Sequence, residues 1–526
     1  MSNAAVAAGG NASVRFRLAG MMFLEYFVWG AWAVEIGGYM SAVLHFSGSQ
    51  IGWVYSSTAI AAMLSPLLMG YVADRLLATE KLLAILHLLG AVLLAAAAFS
   101  GRLAQALGAD GEQFPVLLGL MIAYSLLYMP TLALTNSISF AHMVDPEKEF
   151  PLVRVFGTLG WIVAGLVVGL VLKLEPGTWT HGMLTAIFPP EHAFFANNNF
   201  LVLAAVASAV LGLYCLALPH TPPKPAEAHR STDRRQSVLS LLADRSFLVF
   251  VLCSFSICIP LAFYYNMANI FLSEVDAPHP TALQTIGQAS EVIFMALMPV
   301  FIKALGVRRM LALGMLAWVL RYACFASLGF PLIVLALLLH GICYDFFFVA
   351  SQIFVDSKAD LSQRASAQSF IAFVTLGVGM FVGAQAAGWV HDHYPPAVRV
   401  EGGGRAVGML SDPAELPLPE WDPVAKTGLA RHLNLAPGQS MTIADVTRDY
   451  IEQPGGVTYS AAALRKAMQQ IDTNHDGRIS REEWRAAQRH DWFWIWIWPA
   501  AWAVVTLLIF LIGFRDSPPV PAAAHS

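Results

Sequence analysis

Apolar stretches of about twenty residues recur along the whole chain and leave little choice of solvent. A bilayer core about 30 Å thick is crossed by about 20 helical residues. Runs of that length lie near 18–43, 50–72, 82–100, 114–138, 154–173, 198–219, 246–272, 285–303, 308–328, 331–355, 366–390 and 492–514, twelve in all. Hydrophobic residues make up 57% of the 526 and charged residues only 13%, against roughly 25% charged in a soluble domain. Mean hydropathy is +0.59. These figures exclude a soluble enzyme and a disordered scaffold. A net charge of −4 leaves no basic surplus for a nucleic acid. The expectation is an all-α membrane protein, monomeric, with lipid as its main partner.

The charges cluster, with 25 of the 66 between 391 and 492. This divides the chain into a 1–17 tail, a 18–219 bundle of six helices, a 220–245 linker, a 246–390 set of five, a hydrophilic insert at 391–491, a last helix at 492–514 and a 515–526 tail. With both termini in the cytoplasm, the loops and tails on that side hold sixteen Lys and Arg, the longest insert set aside. The opposite short loops hold only Arg102 and Lys173. The positive-inside rule therefore places the insert outside the cytoplasm. The run after Arg15 and Arg17 is too long for a signal-peptide core and reads as an uncleaved first helix. All five cysteines (Cys215, Cys253, Cys258, Cys324, Cys343) fall in apolar runs, so they read as small apolar residues rather than a disulfide framework.

Ionisable groups inside spans cost about 3 kcal/mol or more at the bilayer centre and demand a reason. They are Glu25 and Glu35 in the first span, Arg154 in the fifth, Glu291 in the eighth, Arg321 in the ninth, and His340 with Asp345 in the tenth. Arg154 and Thr158 share a helix face, with Trp161 three residues on. Gln288 and Glu291 share another. His340, Tyr344 and Asp345 bring an imidazole, a phenol and a carboxylate to adjacent turns, and Tyr264, Tyr265, Asn266 and Asn269 interrupt the seventh span. Together they suit hydrogen bonding and stacking of a polar ring system, with a buried carboxylate carrying a proton. Arg321 reads as a structural residue near a cytoplasmic end, free to snorkel or pair. Gly165-x-x-x-Gly169 and Gly379-x-x-x-Gly383 read as close helix contacts.

Within the insert, residues 472–483 fit the twelve-residue EF-hand loop. Asp472, Asn474 and Asp476 supply side-chain oxygens at positions 1, 3 and 5. Gly477 makes the turn, Arg478 offers its backbone carbonyl, Ser480 stands at 9 and Glu483 closes the site at 12. Ca2+ is the expected cofactor, in a structural role. Val457 is a candidate strand partner for Ile479, from a decayed second loop. The aromatic run Trp492–Trp498 is expected at the membrane interface.

The membrane body resembles the bacterial nucleoside–proton symporter family of the major facilitator superfamily over roughly 18–390 and 492–514. The stretches that carry the resemblance include Trp29-Gly30-Ala31-Trp32, Tyr128-Met129-Pro130-Thr131-Leu132, Arg154-x-x-Gly157-Thr158-x-Gly160, Gln288-x-x-Glu291, Gly341-x-x-x-Asp345-Phe346-Phe347 and Arg364-Ala365-Ser366-Ala367-Gln368. Gly70-x-x-x-Asp74-Arg75 matches the superfamily's gating-loop signature. The resemblance implies two six-helix bundles and proton-driven nucleoside uptake through a bacterial inner membrane, with no catalytic residues. It places Arg154, Thr158, Gln288 and Glu291 at the nucleoside, Trp161 and Tyr344 at aromatic positions and Asp345 as the acid of the tenth span. From the residues themselves, Tyr265, Asn266 and His340 are further candidates for the nucleoside, and Glu291 and Glu25 join Asp345 as candidates for proton coupling. His340 stands where the family leads one to expect Tyr, and Ala262 and Tyr265 where Gln and Asn are expected. Glu25 replaces a neutral amide. Another small polar substrate such as a sugar, or a calcium-responsive membrane receptor, are the alternative readings.

Overall fold

The computed structural model describes residues 2–75, 77–108, 113–172, 198–222, 238–359, 364–401, 415–419, 421, 429–433, 440–452, 457–472 and 474–515. Side chains of 2–12, 65–75 and scattered further positions lie outside that description, among them those of Asp74 and Arg75, as does the environment of Gly70.

Among the described residues, eight helices are long and apolar enough to cross a membrane. The chain runs through α1 (Ser2–Ala33), α2 (Gly48–Arg75), α3 (Thr79–Ala98), α4 (Gln113–Ala141), α5 (Pro146–Leu166) and α6 (Asn199–Cys215). It continues through α7 (Arg245–Glu274), α8 (Pro280–Ala326), α9 (Phe330–Lys358) and α10 (Ser366–His393). Helix starts follow local chemistry. Asp145 accepts from Lys148 N ahead of Pro146, and Asp244 accepts from Ser246 N and Phe247 N at 2.7 and 3.2 Å, which satisfies otherwise free N–H groups. Gly306, at φ +71°, breaks α8 into two arms. Only a residue without Cβ takes that conformation at little cost.

The helices pack as two groups. In the first, α1 lies against α5, α3 against α6 and α2 against α4; in the second, α7 and α8 lie against α10 and α9 respectively. Missing side chains set several crossings. A Cβ on Gly160 would collide with the Phe23 carbonyl, which lets α5 meet α1 backbone to backbone. The two groups meet along α2–α10 and along α5 with the first arm of α8. Gly165 and Gly169 serve that second contact, against Thr285 and Ala282. Gly379 and Gly383 instead seat α10 on Cys258 and Ala262 of α7.

The insert folds around its own core of Trp421, Leu464, Met468, Ile471, Ile479 and Trp484. Its two helices are α11 (Ala461–Ile471) and α12 (Arg481–Gln488), and α13 (Trp492–Gly513) follows. Three two-stranded antiparallel ribbons join β1 (Arg399–Glu401) to β2 (Glu415–Pro417), β3 (Met441–Thr442) to β6 (Arg478–Ile479), and β4 (Tyr450–Glu452) to β5 (Val457–Tyr459). The partner of Ile479 is therefore Met441 and not Val457, which faces Glu452. The reason is visible beside the strand. Thr442 and Asp445 form a capping box of the same form as Ser480 and Glu483. The decayed half thus ends at Asp445.

The aromatic run is split by its helical period. Trp492 and Trp496 turn inward on Phe271, while Phe493, Trp494 and Trp498 stay exposed.

Candidate functional site

The ionisable residues of the spans converge from both helix groups. On the first group, α5 holds the Arg154 guanidinium 4.2 Å from the centroid of the Tyr26 ring of α1. Gly157 makes this fit, because a Cβ there would strike both Tyr26 and Arg154. One turn on, Trp161 meets Trp29 edge to face at 5.3 Å. Its backbone lies where a side chain on Gly30 would be. Thr158 stands half-buried between Arg154 and Trp161.

The second group supplies the acids. Glu291 and the buried Gln288 lie one turn apart on the first arm of α8. The carboxylate of Glu291 reaches to 3.9 Å from His340 Nε2. Two close approaches bring α8 and α9 together there: a Cβ on Gly287 would touch the His340 ring, and one on Gly341 would meet the Ser290 backbone. His340 Nδ1 lies 2.8 Å from the Arg321 guanidinium. Tyr264 stacks under Arg321 at 3.7 Å. Tyr264 also continues to Tyr265, and His340 to Tyr344, at centroid separations of 5.7 and 5.8 Å.

Asp345 is fully buried, and neither of its oxygens has a hydrogen-bond partner among the described residues. It opens a π-helical turn, Asp345–Val349, a distortion common at functional sites. The Arg154 charge reaches Glu291 across the two groups, and Glu291 in turn reaches Asp345. Arg154, Tyr26, Glu291, Tyr344 and Asp345 thus form one electrostatic neighbourhood. It offers a cation, two carboxylates, an imidazole and several aromatic faces to a polar planar solute.

Other expected residues stand apart. Asn266 is buried and donates to the Ala384 carbonyl of α10 at 3.4 Å. Glu25 is sealed within the first group. It accepts from Thr131 Oγ1 at 2.6 Å and lies 2.9 Å from His87 Nε2, while Tyr128 donates to its backbone carbonyl. Glu35 accepts from Thr281 Oγ1, which accepts from Asn269 at 2.9 Å.

Arg321 does not snorkel: it is fully buried. It lies fifteen residues beyond Gly306, about 20 Å along the helix at 1.5 Å per residue. His87 is the partner the sequence did not announce. Its signal is a lone imidazole in the Leu-rich run Leu82–Leu94.

The contacts between groups concentrate at the end that carries the insert. Asp392 accepts from Gly48 N, Ser49 N and Ser49 Oγ at 2.5, 2.8 and 2.5 Å. Gly48 meets Gly388 backbone to backbone, Gly52 meets Ala384, and Gln385 donates to Ser56 Oγ at 2.9 Å. The two groups are closed together there.

The EF-hand loop has the expected internal bonds. Asp472 accepts from Asp476 N and Gly477 N, Asn474 from Asp476 N, and Asp476 from Arg478 N, at 2.7–3.1 Å. Glu483 accepts from Ser480 N and Oγ at 2.8 Å. Gly477 has φ +72°. α12 is anchored to the membrane helices, since Arg485, and Arg489 just past its end, both bond Asp276 just past α7.

Comparison with known proteins completes the picture. A family model described as "Nucleoside H+ symporter" matches residues 12–398, and one described as "EF hand" matches 464–487. The chain is similar to the putative nucleoside transporter YegT of Escherichia coli (strain K12), 40% identical over 386 residues, covering 71% of this chain and 83% of that protein. It is 32% identical to the xanthosine permease of the same organism, over 73% of this chain and 89% of that one. Among solved structures, a crystal structure of the nucleoside transporter NupG superposes with a TM-score of 0.65 at 25% identity, covering 96% of this chain and all of that chain.

Proposed function

Because the chain belongs to the nucleoside–H+ symporter family, we propose that it takes up nucleosides with protons across a bacterial cytoplasmic membrane by alternating access. Counting the two arms of α8 separately, the spans make two six-helix bundles, with both termini inside and the insert outside. The closed insert-side seam then belongs to an inward-facing state. The observation that carries the reading is the placement of Arg154 on α5 and of Glu291, 3.9 Å from His340, on α8, the two helices along which the bundles pack. In this reading Arg154 and Gln288 fix the nucleoside's hydroxyls and base edge. Trp161, Tyr265 and Tyr344 offer faces to the nucleobase, since every base has a π-face. Glu291 and Asp345 hold the transported proton. Protonation weakens the pull between Arg154 and Glu291, so proton and substrate together bias the rocking of one bundle on the other. Gly70, Asp74 and Arg75 serve the inner gate.

Residues 472–483 bind Ca2+ through Asp472, Asn474, Asp476, the Arg478 carbonyl, Ser480 and Glu483. The docked α12 makes this a structural clip, for which extracellular affinities of ~10⁻⁴–10⁻³ M suffice.

Calorimetric titration of the purified full chain with uridine, adenosine and maltose tests the substrate class. Nucleoside binding that is lost in Arg154→Ala supports the proposal, and binding of maltose alone overturns it. Titration with Ca2+ gives one site, abolished by Glu483→Gln; no heat at several millimolar would remove the calcium claim.

A further inference from the structure

At the root of the insert, three ligating side chains from distant parts of the chain meet. Glu274 ends α7, His391 lies in the last turn of α10, and His490 stands two residues before α13. One carboxylate oxygen and one nitrogen from each ring lie within 4.8 Å of one another. The two imidazoles face each other with centroids 3.9 Å apart and planes 33° from parallel. The His391 ring is 4% exposed, yet neither of its nitrogens has a hydrogen-bond partner among the described residues. A buried imidazole without a partner is unusual, because buried polar groups are almost always bonded. Here the open nitrogens belong to a cluster of a carboxylate and a second imidazole.

We propose that Glu274, His391 and His490 bind a divalent transition metal of the Zn2+ class, at a site separate from the EF-hand loop. Two imidazoles and a carboxylate form a ligand set suited to Zn2+, Co2+, Ni2+ or Cu2+, whereas Ca2+ and Mg2+ favour oxygen alone. Bonds of about 2.0–2.1 Å at a tetrahedral angle hold ligand atoms about 3.4 Å apart. The ligand atoms now lie within 4.8 Å of one another, so binding would draw them closer.

Support around Glu274 is already in place, and a carboxylate stands near His391. Glu274 accepts from Trp492 Nε1 at 2.7 Å and from His490 N at 2.9 Å. Asp392 Oδ1 stands 4.0 Å from His391 Nδ1, and Asp392 is itself held by Gly48 and Ser49. A carboxylate behind a metal-binding histidine is the usual second tier of such sites. His391 and His490 flank the insert, so one ion would tie both of its roots to α7, beside the seam between the helix groups.

The test uses the full chain in detergent, freed of any polyhistidine tag and stripped with chelator, with Co2+ as the probe. The proposal predicts one equivalent of Co2+ with the visible d–d bands of a low-coordinate site, displaced by Zn2+ and not by excess Ca2+. His490→Gln, at a half-buried position, should weaken binding at least about tenfold. Asp392→Asn should weaken it by roughly tenfold. Asp472→Ala, in the calcium loop, should leave it unchanged, and all variants should elute as the parent on gel filtration. Absence of stoichiometric Co2+ binding, or bands that survive both His490→Gln and Glu274→Gln, would overturn the proposal.

Discussion

Replacing Asp392 by alanine should open the insert-side seam. Asp392 belongs to α10, yet its carboxylate caps the start of α2 in the other helix group, accepting from Gly48 N, Ser49 N and Ser49 Oγ. Hydrogen bonds to a charged group contribute ~1.5–3 kcal/mol each when buried. Asp392 keeps about a third of its side chain exposed, so screening lowers the sum towards that of an N-cap, ~1–2 kcal/mol. Once the groups separate, water takes over the same carboxylate, so the whole amount favours the closed state. At 1.4 kcal/mol per factor of ten, the loss raises the open fraction ~5–30-fold.

Ser56 reports this opening. It is fully buried behind the seam, where Gln385 donates to it. In a Ser56→Cys background, a membrane-impermeant maleimide applied from the insert side reacts only during opening. If closure outpaces labelling, the rate follows the open population. Asp392→Ala should raise the labelling rate ~5–30-fold, and Ser49→Ala by a smaller factor. Equal rates with and without Asp392 would refute the assignment of the cap as a gate contact.

Further outcomes follow from the same geometry. Arg321→Ala removes the bond to His340 and the stack on Tyr264; a loss of about 3 kcal/mol should lower the unfolding midpoint by several degrees, and an unchanged midpoint would contradict the burial argument. Gly160→Val drives a branched side chain into the Phe23 carbonyl and should abolish a monodisperse gel-filtration peak. Glu25→Gln keeps an oxygen for Thr131 but removes the charge facing His87. On the sequence reading that Glu25 takes part in proton coupling, the variant should lower gradient-driven uptake severalfold while nucleoside binding persists; unchanged uptake would leave the proton to Glu291 and Asp345.

The helical membrane body was legible because a helix that crosses lipid must be a long apolar run. The need of Arg154, Glu291, His340 and Asp345 for interior surroundings was legible for the complementary reason, since each interrupts such a run. What sequence could not give was partnership. Glu25 finds His87 and Thr131 from two other helices, and Asn266 spends its amide on the Ala384 carbonyl. No local spacing encodes either contact. Arg321 does pair, as expected of a structural residue, but with His340 in the interior and not at a cytoplasmic end, because fifteen residues of helix separate it from Gly306. In the insert, the box Thr442-x-x-Asp445 was readable as the end of the second loop. The Val457 run drew attention away from it because β-propensity is shared by every short strand. Glu274, His391 and His490 are ordinary at their own positions, and only the return of the chain after the insert brings them together.

Proton-coupled nucleoside uptake is tested most directly in proteoliposomes, with labelled uridine and adenosine, with and without an inward proton gradient. The account predicts uptake that rises with the gradient and is lost in Glu291→Gln and Asp345→Asn. Those variants should remain folded, since neither carboxylate has a hydrogen bond to a helix backbone among the described residues. Uptake indifferent to the gradient, or undiminished in both variants, would contradict it.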